Sequence, residues 1–258
     1  MPSKLNALLN VVGLVLVLTL NALANILPIN GYNTGQISAF YPNYFVPAGF
    51  TFSIWSVIYL MLIGFVVCSI AATGKKMSDS AKQVIKIASP YFQLTCILNS
   101  AWILLWHYLY LAASVFVMIL FLVVLILLYL RIFQFKKQLT AFMKFWIHHT
   151  FVVYLAWICV ATIANFTALF VGLGWQGSPL DATTWSMIMI LIALVLGIIF
   201  VGKRKEPAYG YVLSWAFLGI YASQMPVARN VGITAAFAVS ALLALSITIL
   251  IKSRKPSA

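Results

Sequence analysis

Eight stretches of this chain, roughly 5–26, 49–72, 86–107, 109–131, 145–171, 183–202, 208–225 and 231–251, are long and apolar enough to cross a lipid bilayer. No other feature restricts the fold as strongly. A hydrocarbon core takes about 20 mostly apolar residues per helix. Lipid offers backbone N–H and C=O groups no partner, so only helices and closed barrels can span it. These runs lack the apolar/polar alternation of barrel strands. The prediction is therefore an all-α integral membrane protein with about eight transmembrane helices. Composition agrees: 64% of the residues are hydrophobic and 7% charged, whereas soluble domains carry about a quarter charged residues.

The formal net charge of +13 could suggest a nucleic-acid partner, but the placement of the charges argues otherwise. With the N-terminus inside, Lys4 is cytoplasmic. Lys75, Lys76, Lys82 and Lys86 fall on the same side, as do Arg131, Lys136, Lys137 and Lys144. Lys203, Arg204 and Lys205 join them, followed by Lys252, Arg254 and Lys255. Arg229 alone is left outside. Such a partition follows the positive-inside rule. It assigns the basic excess to topology and anionic headgroups, with both termini cytoplasmic in a bacterial-type plasma membrane and no nucleic acid bound.

The first run, with Lys4 before it and Ala22-Leu23-Ala24 near its end, has the outline of a signal peptide. Its length favours retention as a span. Cys68, Cys96 and Cys159 all fall inside predicted spans and are read as small apolar filler, not as a disulfide framework.

The longest outer connection, Leu27 to Ala48, reads LPINGYNTGQISAFYPNYFVPA. It has no charge and is rich in aromatic residues. A loop of this length is either a functional lid or an interfacial aromatic belt, and the residues alone leave both open. Near GLGWQGSPLDATTW, Asp181 reads as the cap of the sixth span.

Three spans carry polar and aromatic residues where leucine would serve a lipid face better. At about 100° per residue, Tyr154, Trp157, Ala161 and Asn165 share an arc of roughly 80°. Asn99, Trp102 and Trp106 form a similar stripe on the third span, and Phe52, Trp55 and Tyr59 on the second. A buried Asn in lipid needs a hydrogen-bond partner, and Trp and Tyr have polar tips that usually want one. Helix-to-helix adhesion would explain either Asn alone. Three stripes together favour an aromatic cavity for a hydrophobic small molecule in the outer half of the bilayer.

At these positions the chain resembles the tryptophan-rich sensory protein family, whose eukaryotic members are the mitochondrial translocator proteins. Leu98–Trp102 (LNSAW) is similar to that family's LNxAW. Tyr154, Trp157, Ala161 and Asn165 match its fifth-helix pattern, and Pro47, Trp55 and Tyr59 its second-helix pattern. Val153 stands where the family usually has proline. Thr95 stands where it usually has glutamine, with Gln93 two places early. The resemblance implies a five-helix bundle over residues 1–172 that binds porphyrins, sterols or other hydrophobic ligands beneath the first loop. Trp55, Asn99, Trp102, Trp157 and Ala161 would line that pocket. Residues 173–258 are then a membrane extension of about three helices, whose small-residue run GITAAFAVSALLALS suits close packing.

No catalytic set is expected. The three carboxylates, Asp79, Asp181 and Glu206, lie in predicted loops, and no lysine sits mid-span. His148 and His149 begin the fifth span while His107 ends the third, at opposite membrane faces, so no metal site is expected. No cofactor is required, and the expected partners are a hydrophobic or porphyrin-like molecule and membrane lipid, with homo-oligomers compatible. The rival functions are a small-molecule permease and a porphyrin-degrading enzyme.

Overall fold

A computed structural model describes residues 3–175 and 177–254; Lys255, counted above among the inner basic residues, lies outside them. The described residues form helices joined by loops, with no strand. All eight predicted runs are helices, here numbered α1 (Lys4–Ile26), α2 (Ile54–Ala71), α3 (Asp79–His107), α4 (Leu111–Phe133), α5 (Thr150–Gly172), α6 (Ala182–Gly202), α7 (Pro207–Gln224) and α8 (Arg229–Arg254). Six helical segments have the length and composition to cross a membrane: Lys4–Ile26, Gly49–Ala71, Leu111–Phe133, Ala141–Gly172, Ala182–Gly202 and Arg229–Lys252. α3 and α7 are not among these six. α3 carries Ser89, Thr95, Asn99 and Ser100, all buried, so its polarity faces protein. It also starts earlier than predicted, because Ser78 caps it by accepting from the Ala81 N–H. That early start turns Lys82, predicted as a loop charge, into a buried helical residue.

The chain divides into two compact units. One comprises residues up to Ile37 and Trp55–Leu155; the other comprises Ser38–Ile54 and the chain from Ala156 onward. The division cuts α5 between Leu155 and Ala156.

In the first unit, α1 buries Ala7, Asn10, Leu14, Val17, Asn21 and Ala24. The alternating steps of three and four residues define one stripe along a helix. This stripe packs on α3, which runs parallel to it. Asn10 donates to Ser89 Oγ at 2.9 Å, Gln93 donates to Asn10 Oδ1 at 3.0 Å, and Cys96 lies against Gly13. α2 meets α3 and the start of α5 through Phe65, Phe92 and Phe151. These rings meet edge to face, with centroids 4.9 to 6.3 Å apart, the geometry that ring quadrupoles favour. Just before α5, Lys144–His149 widens into a π-helical turn. It seats Trp146 directly over Gly64 of α2. His148, predicted to be interfacial, is buried there.

In the second unit, α6, α7 and α8 all pack against one another, with α8 against both of the others. The buried stripe Val231, Ala235, Ala238, Leu242 and Ser246 of α8 realises the close packing expected of its small residues. Gly210 admits Ser246, and Gly197 admits Leu242. The other side of α7 holds the chain that precedes α2. The Ala48 N–H donates to Gly219 O at 2.9 Å, Trp215 Nε1 to Thr51 O at 3.0 Å and Ser223 Oγ to Val46 O at 2.7 Å. Gly219 is required because Thr51 and Pro47 occupy the space of a side chain.

Asp181 caps α6 as expected, accepting from the backbone N–H groups of Thr183 and Thr184. The hydroxyls of Thr183 and Thr184 hold its carboxyl well below the usual carboxylate range, helped by those N–H groups. A depressed folded-state pKa gives a contribution that is present at neutral pH and fades as the pH falls below about 3.8. Asp181→Asn is therefore expected to lower stability slightly at neutral pH, where that contribution is present, and to flatten the acid limb of the unfolding profile, followed by circular dichroism in detergent.

Candidate ligand-binding site

Six of the predicted site residues come together in the first unit. Tyr59, Trp55, Trp102 and Trp106 form a ladder of near-parallel rings. Successive centroids are 5.5, 6.3 and 6.2 Å apart, with planes 22°, 26° and 22° from parallel. The order follows from helix geometry: Trp55 and Tyr59 are four apart on α2, as are Trp102 and Trp106 on α3, so each pair is one turn deep on its own face. Tyr154 meets the ladder edge-on at Trp55, 6.1 Å away at 78°, and Phe121 of α4 backs Tyr154 at 5.3 Å.

Asn99 ties the ladder to α1. It accepts from Asn21 Nδ2 at 2.8 Å and donates to the Tyr154 hydroxyl at 3.2 Å. Asn21 also donates to Val17 O. Asn21 was not among the predicted site residues, although the three-four spacing of Asn10 and Asn21 with small residues on an otherwise aliphatic helix is a legible signal.

Among the described residues, three hydrogen-bond donors in this cluster meet no protein acceptor. Trp102 Nε1 and the Tyr59 hydroxyl are buried without a partner. The Tyr154 hydroxyl accepts from Asn99, and no acceptor takes its own proton among the described hydrogen bonds. A buried donor left unmatched costs about 1–3 kcal/mol, so three beside one aromatic surface mark a place for a molecule that brings acceptors.

The first part of the long connection between α1 and α2 roofs this cluster. Contrary to a wholly irregular loop, it contains a short 3-10 turn at Ile29–Gly31 and a helix at Thr34–Ala39. His107 is fully buried beneath it. Its Nδ1 lies 3.2 Å from Ile29 O, which can only accept, so Nδ1 carries a proton, and its Nε2 lies 3.1 Å from Thr34 Oγ1. Asn30 donates to His107 O, and Trp106 Nε1, at the end of the ladder, reaches Thr34 O at 3.5 Å. His107→Phe is expected to cost about 1–3 kcal/mol by stranding these buried groups. The effect should appear as faster hydrogen exchange at Ile29–Gly31.

The other four predicted residues belong to the second unit. Phe52 meets Trp157 edge to face at 6.3 Å. Asn165 is buried and Ala161 half-buried. The opposite face of α5 there borders a cavity of about 700 Å³ walled by Ile163, Phe166, Thr167, Phe170, Trp175 and Trp185, among others. Sequence reasoning passed over these aromatics because, at a helix end, they are indistinguishable from an interfacial belt. Trp185 Nε1 donates to Gly177 O and Trp215 Nε1 to Thr51 O.

Searches of curated proteins and of solved structures find no match. The family model described as TSPO-like protein matches residues 7–249, reaching through the last three helices, beyond the five spans that carry the motifs. With its long apolar helices and a match over nearly its whole length, the chain is an integral membrane protein that belongs to the TSPO-like protein family.

Proposed function

We propose that this protein is a membrane sensor or translocator that binds a hydrophobic, acceptor-bearing ligand of the porphyrin class against the ring ladder of the first unit. Trp55, Tyr59, Trp102 and Trp106 offer the stacking surface, and Asn99 and Tyr154 the polar edge. The observation that carries this reading is the set of unmatched donors, Trp102 Nε1 and Tyr59 OH, in an otherwise aromatic wall. A flat conjugated ring stacks on indole, and its nitrogens or carboxylates accept from such donors. In this reading the chain crosses a bacterial-type plasma membrane eight times with both termini cytoplasmic, and the ladder lies in the outer half of the bilayer. The test is titration of the detergent-purified protein with protoporphyrin. Saturable quenching of tryptophan fluorescence at one equivalent is expected. Quenching that rises linearly without saturation would reject the proposal.

A further inference from the structure

We propose that the second unit carries a separate site for a neutral, single-tailed amphiphile with a hydroxylated head. It rests on two cavities that share the walls Asn43, Val171, Trp175 and Ala182, and so adjoin within this unit. Each has a volume, about 700 and about 740 Å³, within the range of about 300–1,000 Å³ usual for small-molecule sites.

The two differ in chemistry. The first is aromatic, with rings following one another from Phe166 to Phe170, Trp175 and Trp185 at centroid spacings of 6.2, 5.3 and 5.4 Å. Its few polar side chains are already engaged. Thr167 Oγ1 donates to the Ala164 carbonyl and Ser186 Oγ to the Ala182 carbonyl. Trp185 Nε1 donates to Gly177 O. Asn43 donates to Tyr41 O and accepts from the Phe45 N–H. Apart from the exposed indole of Trp175, the described polar side chains of this chamber already have hydrogen bonds, so its occupant is mainly hydrocarbon.

The second chamber is lined by Ser38, Ser223 and Gln224 as well as the shared walls. Gln224 is more than nine-tenths buried. Its amide donates to Val46 O at 3.2 Å and to Ser223 Oγ at 3.0 Å. Its Oε1 is used by none of the described hydrogen bonds. A carbonyl with an unused lone pair in a cavity wall favours an occupant that donates. No Asp, Glu, Lys, Arg or His lines either chamber, so a charged headgroup would be buried without a counter-charge. A head that donates and carries no charge is an alcohol, and the adjoining apolar chamber takes its tail. This ligand differs from the acceptor-rich molecule proposed for the first unit.

Native mass spectrometry of the full chain in detergent, titrated separately with 1-monooleoylglycerol, methyl oleate and oleate, tests the assignment. The glyceride is expected to bind about five-fold tighter than the methyl ester, the worth of one hydrogen bond, with oleate weaker still. Thr167→Trp and Met189→Trp, each filling the tail chamber, are expected to lower glyceride affinity at least about ten-fold while protoporphyrin titration is unchanged, since losing most of a buried tail's contacts far exceeds that factor. Glyceride binding in a preparation that takes up no porphyrin would still support this site. Equal binding of the three lipids, tighter binding of oleate, or full glyceride affinity in both filled variants would overturn it.

Discussion

Trp55→Ala is expected to abolish saturable protoporphyrin quenching and to lower stability by about 3 kcal/mol, the low end for truncating a large aromatic side chain. Trp55 is the ring on which the cluster depends. Tyr59 stacks on it from one side and Trp102 from the other, and Tyr154 abuts it edge-on. Removing it separates the α2 pair from the α3 pair, leaving no continuous surface for a flat ligand. Trp106→Ala, at the end of the ladder, should weaken binding less, because three near-parallel rings would remain. Thermal unfolding in detergent and the quenching titration, run on both variants, read the two effects separately.

Gly64→Ala carries the second large expectation. A methyl group there would enter the six-membered ring of Trp146. That ring is hemmed by Phe145, edge-on at 4.7 Å, and by Phe142 at 6.4 Å. Overpacking of this kind costs about 1–3 kcal/mol, outweighing the gain of about 1 kcal/mol that alanine brings to a helix interior. Gly202→Ala is the matched control: nothing lies within 4 Å of its added methyl, so it should be neutral or mildly stabilising. A lowered midpoint for the first variant alone would place the effect in the contact between α2 and the π-helical turn.

Much of this architecture was legible in the chain. The apolar runs forecast every long helix because lipid removes the choice between helix and irregular structure. The stripes on α2, α3 and the first turns of α5 put the ladder residues, Asn99 and Tyr154 on faces able to meet, since helical spacing fixes which residues share a face, but the pairing itself was not forecast. Asn21 was missed because a lone polar residue on an aliphatic helix has no partner within its own sequence; its partner, Asn99, is 78 residues away. The hydrogen-bond partners of Trp185 and Trp215 were illegible for a related reason. An indole near a helix end looks alike whether its N–H meets water or a carbonyl brought in by a distant segment, as Thr51 O is for Trp215. The roof of the first unit depends on His107, whose burial follows from the fold of Ile29–Thr34 and not from its place at the end of α3.

The most direct measurement is the protoporphyrin affinity of Tyr59→Phe, which removes one hydroxyl and keeps the ring. If that hydroxyl waits for a ligand acceptor, the unliganded variant should be as stable as the parent or slightly more so, because an unmatched buried donor is gone. Porphyrin affinity should meanwhile fall by about five- to ten-fold, the worth of one hydrogen bond. Unchanged affinity in a variant of unchanged stability would contradict the assignment of this cluster as the binding site.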